Sequence, residues 1–134
     1  GVHLRQPGSG IDHRLERALQ PFAFAGDGGM DCDLLGGTSQ DFNLMTRRGR
    51  WRGAVRVLRS AAVVPARPAG LLWALQGRWR LAPLIATPGQ AVRLAPDAGG
   101  WWAGEDCGWS AEPEASAEGN VLLHVLLEPD ASAC

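Results

Sequence analysis

The stretch from Gly36 to Gly49 contains four residues of types and at spacings that can do chemistry. It reads Gly36-Gly37-Thr38-Ser39-Gln40-Asp41-Phe42-Asn43-Leu44-Met45-Thr46-Arg47-Arg48-Gly49, and side chains of an extended segment alternate between two faces. Asp41, Asn43, Met45 and Arg47 fall on one face; Phe42, Leu44 and Thr46 fall on the other. A carboxylate, an amide, a thioether and a fixed cation in one row can line a small-ligand pocket, where a few convergent polar groups sit on an apolar wall. The Arg47 guanidinium can grip a carboxylate through two parallel hydrogen bonds. Asn43 can hydrogen-bond the same ligand, Met45 can pack on it, and Asp41 can accept from a ligand N–H or orient Arg47. The same alternation also describes a half-solvated strand whose Asp41 and Arg47 meet water.

Other chemistry is sparse. Gly26-Asp27-Gly28-Gly29 has glycines enough for a backbone anion nest, with Asp27 inside it. It opens no convincing helix, so it matches no phosphate-binding fingerprint and is expected to be a turn. The histidines, His3, His13 and His124, are widely separated with no His-x-His pair, and no metal is expected. His124 is expected to be a satisfied or surface residue of the last strand. Ser39 and Ser60 lack a Gly-x-Ser-x-Gly elbow. Cys32 is expected in the core, Cys107 in a polar loop and Cys134 at the terminus, none with an evident activating base. These cysteines form no CxxC and no disulfide framework, and reduced thiols are the simplest account. No catalytic residue and no cofactor is therefore predicted.

Charge narrows the partners. The 134-residue chain has a net charge of −1, which gives no drive toward nucleic acid or anionic membrane. Arg47, Arg48, Arg50, Arg52, Arg56 and Arg59 run without an intervening acid, and the last third is acidic. The arginine run could track a nucleic-acid backbone with Trp51 stacking on bases, but its short, alternating pattern favours a solvated face. No apolar run reaches the length of a membrane span and no signal-peptide pattern is present, so a cytoplasmic protein is expected.

The elements that must position these residues read as short strands. Val2–Arg5, Ile11–Leu19, Phe22–Phe24, Met30–Leu35, the Asp41–Arg47 stretch, Trp51–Arg59, Leu71–Leu75, Arg78–Leu81, Gln90–Leu94, Trp101–Trp102 and Val121–Leu127 are expected strands. Gln6–Gly10, Arg48-Gly49-Arg50, Pro88-Gly89 and Ala95–Gly100 are expected turns. The runs flanking Arg48-Gly49-Arg50 suggest a hairpin. Residues 61–70, with Pro65 and Pro68, read as a connection, and residues 107–119 as a loop. Trp51, Trp73 and Trp79 are expected in the core, while Trp101 and Trp102 must point opposite ways. Many short strands with Gly/Pro turns argue an all-β sandwich or barrel, one domain by length.

Asp41-Phe42-Asn43-Leu44-Met45 followed by Arg47-Arg48-Gly49, with Phe24-Ala25-Gly26-Asp27 and Leu34-Leu35-Gly36-Gly37 before it, resembles the HutD/Ves family of cupin-like proteins. The likeness runs from about Gly1 to Pro129 and is most specific over Phe22–Gly49. It implies an RmlC-like jelly-roll fold belonging to a bicupin, with residues 1–60 ending a first cupin-like unit and residues 61–134 forming a second half, packed as one compact body. It also implies a non-metal, non-enzymatic protein that governs histidine utilisation by binding a small carboxylate such as urocanate or N-formylglutamate. Asp27, Asp41, Asn43, Met45 and Arg47 are the expected ligand contacts. A metal-free isomerase or hydrolase using Asp41 or Asp27 as general base is the alternative. The chain starts inside a strand without Met and lacks the family's Trp-Arg-Asn-Gly-Gly-Gly motif. It therefore reads as a carboxyl-terminal fragment or short relative, in which self-association is an expected outcome.

Overall fold

The computed structural model describes residues 1–85, 91–115 and 119–131. The expected Pro88-Gly89 turn, the first residue of the Gln90–Leu94 strand and Cys134 lie outside the described residues. Among those described, the regular structure is all strand apart from a single 3-10 residue, Ala131. The chain divides into two units, Gly1–Asn43 and Leu44–Cys134. This division falls inside the Asp41–Arg47 stretch.

The first unit is a three-stranded antiparallel sheet of β1 (Val2–Gln6), β2 (Ile11–Leu15) and β3 (Asp31–Leu34), in the order β2-β1-β3. Register places His3 opposite Arg14 and Asp33, and Arg5 opposite Asp12 and Asp31. Cross-strand partners share a face, so this face is charged throughout. His3 Nε2 meets Asp12 Oδ1 at 2.5 Å and Arg5 pairs with Asp33. The His3 contact holds the exposed Asp12 carboxyl below its usual value. Residues 22–24, expected as a strand, have no regular structure. Their rings stack instead, Phe22 on His13 at 4.0 Å and Phe24 on Phe22 at 5.9 Å, so aromatic packing takes the place of a backbone ladder. Cys32, expected in the core, is exposed.

The second unit is a six-stranded antiparallel sheet in the order β4-β9-β5-β8-β6-β7. Its strands are β4 (Trp51–Leu58), β5 (Ala62–Gln76), β6 (Trp79–Pro83), β7 (Val92–Leu94), β8 (Ala98–Pro113) and β9 (Val121–Pro129). Two expectations fail here. Residues 61–70 are not a connection but the start of β5, and residues 107–113 are not loop but the end of β8. Pro65 and Pro68 cannot donate to a ladder, and the β5/β8 register shifts occur between Val64 and Arg67 and between Arg67 and Ala69. The prolines thus sit where bulges release the pairing.

The Glu- and Pro-rich end of β8 pairs on both sides, with β5 and with β6. Its Glu112 lies opposite Arg80 at 3.8 Å, and Glu114, just past the strand, meets Arg93 at 2.7 Å.

The core cluster comprises Val64, Leu72, Ala74, Trp79, Leu81, Leu94, Ala111 and Leu122, with Leu58, Ala98, Trp102 and Trp109 against it. Trp79 is fully buried and its Nε1 donates to Gln76 O at 3.2 Å, matching its expected core role. Trp51, expected there too, is exposed. Trp101 is exposed and Trp102 half-buried, facing opposite ways as alternation requires.

Gly70 makes room for the Trp102 ring: a Cβ built there would lie 2.4 Å from Trp102 Cζ2 and 2.8 Å from Val125 O. Gly70→Ala is therefore expected to destabilise the fold by about 1–3 kcal/mol, the usual cost of overpacking. Urea unfolding with unchanged m-value checks this.

Candidate functional site

The Asp41–Arg47 stretch is not a strand. Residues 38–47 carry no regular structure and the hairpin expected around Arg48-Gly49-Arg50 has a strand only on its far side. The tight reversal itself is present: Arg47 O accepts from Arg50 N and Trp51 N, each at 3.0 Å, with Gly49 at φ 69°. After it, β4 pairs with β9 and not with residues 41–47. Asp27, Asp41, Asn43, Met45 and Arg47 are all exposed. Asp27, Asp41 and Asn43 belong to the first unit, Met45 and Arg47 to the second. Within the second unit the alternation survives in the side chains. A Cβ at Gly53 would lie 2.7 Å from Leu44 Cδ2 and 2.9 Å from Thr46 Cγ2. Leu44 and Thr46 thus cover the Gly53 face of β4, while Met45 and Arg47 alternate away from it.

A different polar cluster occupies the opposite face of that sheet. Register gives a row across four strands, Arg56 of β4, His124 of β9, Leu72 of β5 and Gly100 of β8. The neighbouring row is Ala54, Leu126, Gly70 and Trp102. Leu72 and Trp102 tie these rows to the core side of the sheet. His124 is 2% exposed, and its Nε2 is buried with no hydrogen-bond partner among the described residues. Arg67, at the β5 bulge, lies close enough to act on His124 electrostatically. Its Nε stands 3.3 Å from Glu128 Oε2, an ion-pair contact without the alignment of a hydrogen bond. Its Nη1 donates to Ala66 O at 2.8 Å, and its carbonyl accepts from Trp102 Nε1 at 2.9 Å.

Three forces keep His124 neutral. Burial comes first, because a charged imidazole loses its hydration there. The positive charges of Arg56 and Arg67 then oppose a third, and together they push His124 down to about 4. The expectation that His124 is satisfied or on the surface is thus corrected, because β9 is buried on both faces from Val121 to Leu126. The sequence signal was present, a lone His in an apolar run, but burial on both faces depends on the neighbours that β4 and β5 supply. Among the described residues, no group of three or more His, Cys, Asp or Glu gathers as metal ligands would. No helix among them is long and apolar enough to cross a membrane.

Comparison with known proteins covers most of the chain. A family model described as HutD matches residues 1–123. Protein Ves of Cronobacter sakazakii is 38% identical over 96 residues, covering 71% of this chain and 48% of that protein. Protein Ves of Citrobacter koseri is 37% identical over 81 residues, covering 60% of this chain and 42% of that protein. The matched stretch therefore spans about half the length of these curated relatives. Among solved structures, the cupin domain of Schizosaccharomyces pombe Cnp3 aligns with TM-score 0.45 at 14% identity, over 78% of this chain and 76% of that one. The cupin domain of an XRE family transcriptional regulator from Enterobacter cloacae aligns with TM-score 0.39 at 18% identity, over 59% of this chain and 81% of that one.

The neutral His124 makes stability pH-dependent with a defined sign. Its value is about 4 in the folded protein against 6.5 for a free imidazole, so unfolding takes up a proton between the two. Stability is expected to fall as pH drops from 6.5 through 4, by about 3 kcal/mol in all from this group. Above 6.5 both states are neutral there and nothing is lost. His124→Leu is expected to remove this component, which urea unfolding of both proteins across the window measures.

Proposed function

This chain belongs to the HutD family, and from that membership we propose that it is a non-enzymatic, cupin-like binder of a small carboxylate acting in the regulation of histidine utilisation. Urocanate and N-formylglutamate are the acids proposed. In the longer protein the chain forms part of a bicupin, and the site acts by occupancy rather than by turnover.

The observation that carries this reading is the state of Arg47. Its side chain is exposed beside a fixed turn and has no ion pair or hydrogen bond among the described residues. Arg5, Arg14, Arg52, Arg67, Arg80 and Arg93 are each paired with an acid. An unpaired guanidinium on a held backbone is free to take a carboxylate in fork geometry. Met45, 88% exposed, supplies an adaptable apolar contact next to it.

A thermal-shift series tests this. A selective rise in Tm with urocanate or N-formylglutamate, absent with an uncharged amide analogue, is the expected result, since a ligand that binds only the folded state stabilises it. Arg47→Ala is expected to raise the concentration needed for the same rise roughly tenfold or more, the loss of a charge-assisted pair. Equal shifts in wild type and variant would remove Arg47 from the site.

A further inference from the structure

We propose that the free edge of β4 is a docking site for an extended acidic segment of another protein, which adds to the six-stranded sheet as a further strand. The surface does not include Arg47, which precedes the turn into β4.

The backbone of this edge is the first observation. β4 pairs with β9 on one side, and no strand among the described residues pairs with it on the other. From Gly53 to Leu58 it makes no backbone–backbone hydrogen bond outside that ladder among the described residues. A strand edge carries a row of N–H and C=O groups ready to pair with another chain, and proteins blunt such edges with short length, proline, bulges or charge. The edge strands β2, β3 and β7 are five, four and three residues long. β4 runs for eight without proline, and its register with β9 is unbroken. Charge is what guards it.

That charge defines the partner. Arg56 on β4 and Arg59 just beyond it are exposed, and neither has an ion pair among the described residues. Arg50, just before the strand, is in the same state. The chain already joins arginine-bearing strands to acidic ones. Register sets Arg52 opposite Glu128 of β9, and Arg80 of β6 opposite Glu112 of β8. The free edge of β4 lacks such a neighbour. A second copy is the poorer occupant, because antiparallel pairing centred on Ala54 sets Arg52 of each copy against Arg56 of the other, and like charges directly opposite destabilise a strand pair. An acidic strand reverses that sign. Arg52 and Arg56 alternate to one face of β4, and Val55 and Val57, both half-buried, to the other. The segment that fits therefore alternates acids with β-branched apolar residues. Main-chain hydrogen bonds supply its affinity and the alternating side chains its selection.

The probe is a fluorescein-labelled Glu-Val-Glu-Val-Glu-Val-Glu peptide, titrated into the full chain at constant ionic strength. Fluorescence anisotropy reads binding, and amide hydrogen exchange reads the β4 backbone. Saturable binding with slowed exchange within β4 is expected, weakened roughly threefold in Arg56→Gln, the scale of an exposed charge pair, and unchanged in Arg47→Ala. The same peptide N-methylated at every residue, which has no backbone donors, is expected not to bind. No saturable binding to folded wild type overturns the proposal, as does binding that leaves β4 exchange unaltered. Equal binding by the N-methylated peptide overturns it too, because charge alone would then attract the probe. An oligothymidylate of the same charge that competes at equal concentration would mark the arginines as a polyanion surface rather than a strand edge. Slowed β4 exchange that grows with protein concentration in the absence of peptide would assign the edge to a second copy instead.

Discussion

Strand β9 lies between β4 and β5 and is buried on both faces over Val121–Leu126. Such a strand is built of Val and Leu because nothing on either side hydrates a polar group. The larger sheet depends on this burial: β9 offers Leu122 to the core cluster on one face, while Val121, Leu123 and Val125 are buried on the other. His124 is the exception in the run, and the constraint on it follows from the same burial. It can neither be hydrated nor easily charged, and Arg56 and Arg67 reinforce the second restriction. Everything distinctive about the core-facing side comes from setting one imidazole into an apolar strand and two arginines near it.

The rest of the charge pattern follows from register. Acids of the last third meet arginines from several earlier parts of the chain. Arg52 meets Asp130, Arg67 meets Glu128, Arg80 meets Glu112 and Arg93 meets Glu114. These pairs are mostly exposed and contribute little stability each. Of the arginine run they involve Arg52, while Arg47, Arg50, Arg56 and Arg59 have no ion pair among the described residues.

Much of the fold was legible in the residues. Val2–Arg5, Trp51–Arg59, Arg78–Leu81 and Val121–Leu127 alternate or run apolar, and each contains the greater part of an observed strand, while Leu71–Leu75 covers five of the fifteen residues of β5. The misses share a cause. Pro65 and Pro68 argued against a strand, yet a long strand absorbs prolines at bulges where no ladder bond is needed. Glu112 and Glu114 argued for a loop, yet cross-strand arginines from elsewhere in the chain let them sit in or beside a sheet. In the Asp41–Arg47 stretch the alternation was real but had no partner strand, so it gave side-chain direction without a ladder. The importance of His124 was hidden because two-sided burial is a property of the neighbours, and no local pattern records it.

The account turns on His124 being held neutral inside the sheet. Following its imidazole resonances through a pH titration of the folded chain tests this most directly. A midpoint near 4, displaced upward when Arg56 is replaced by Gln, is the predicted result. A midpoint at the ordinary imidazole value near 6.5, indifferent to Arg56, would mean that the ring is hydrated and that the arginines do not act on it.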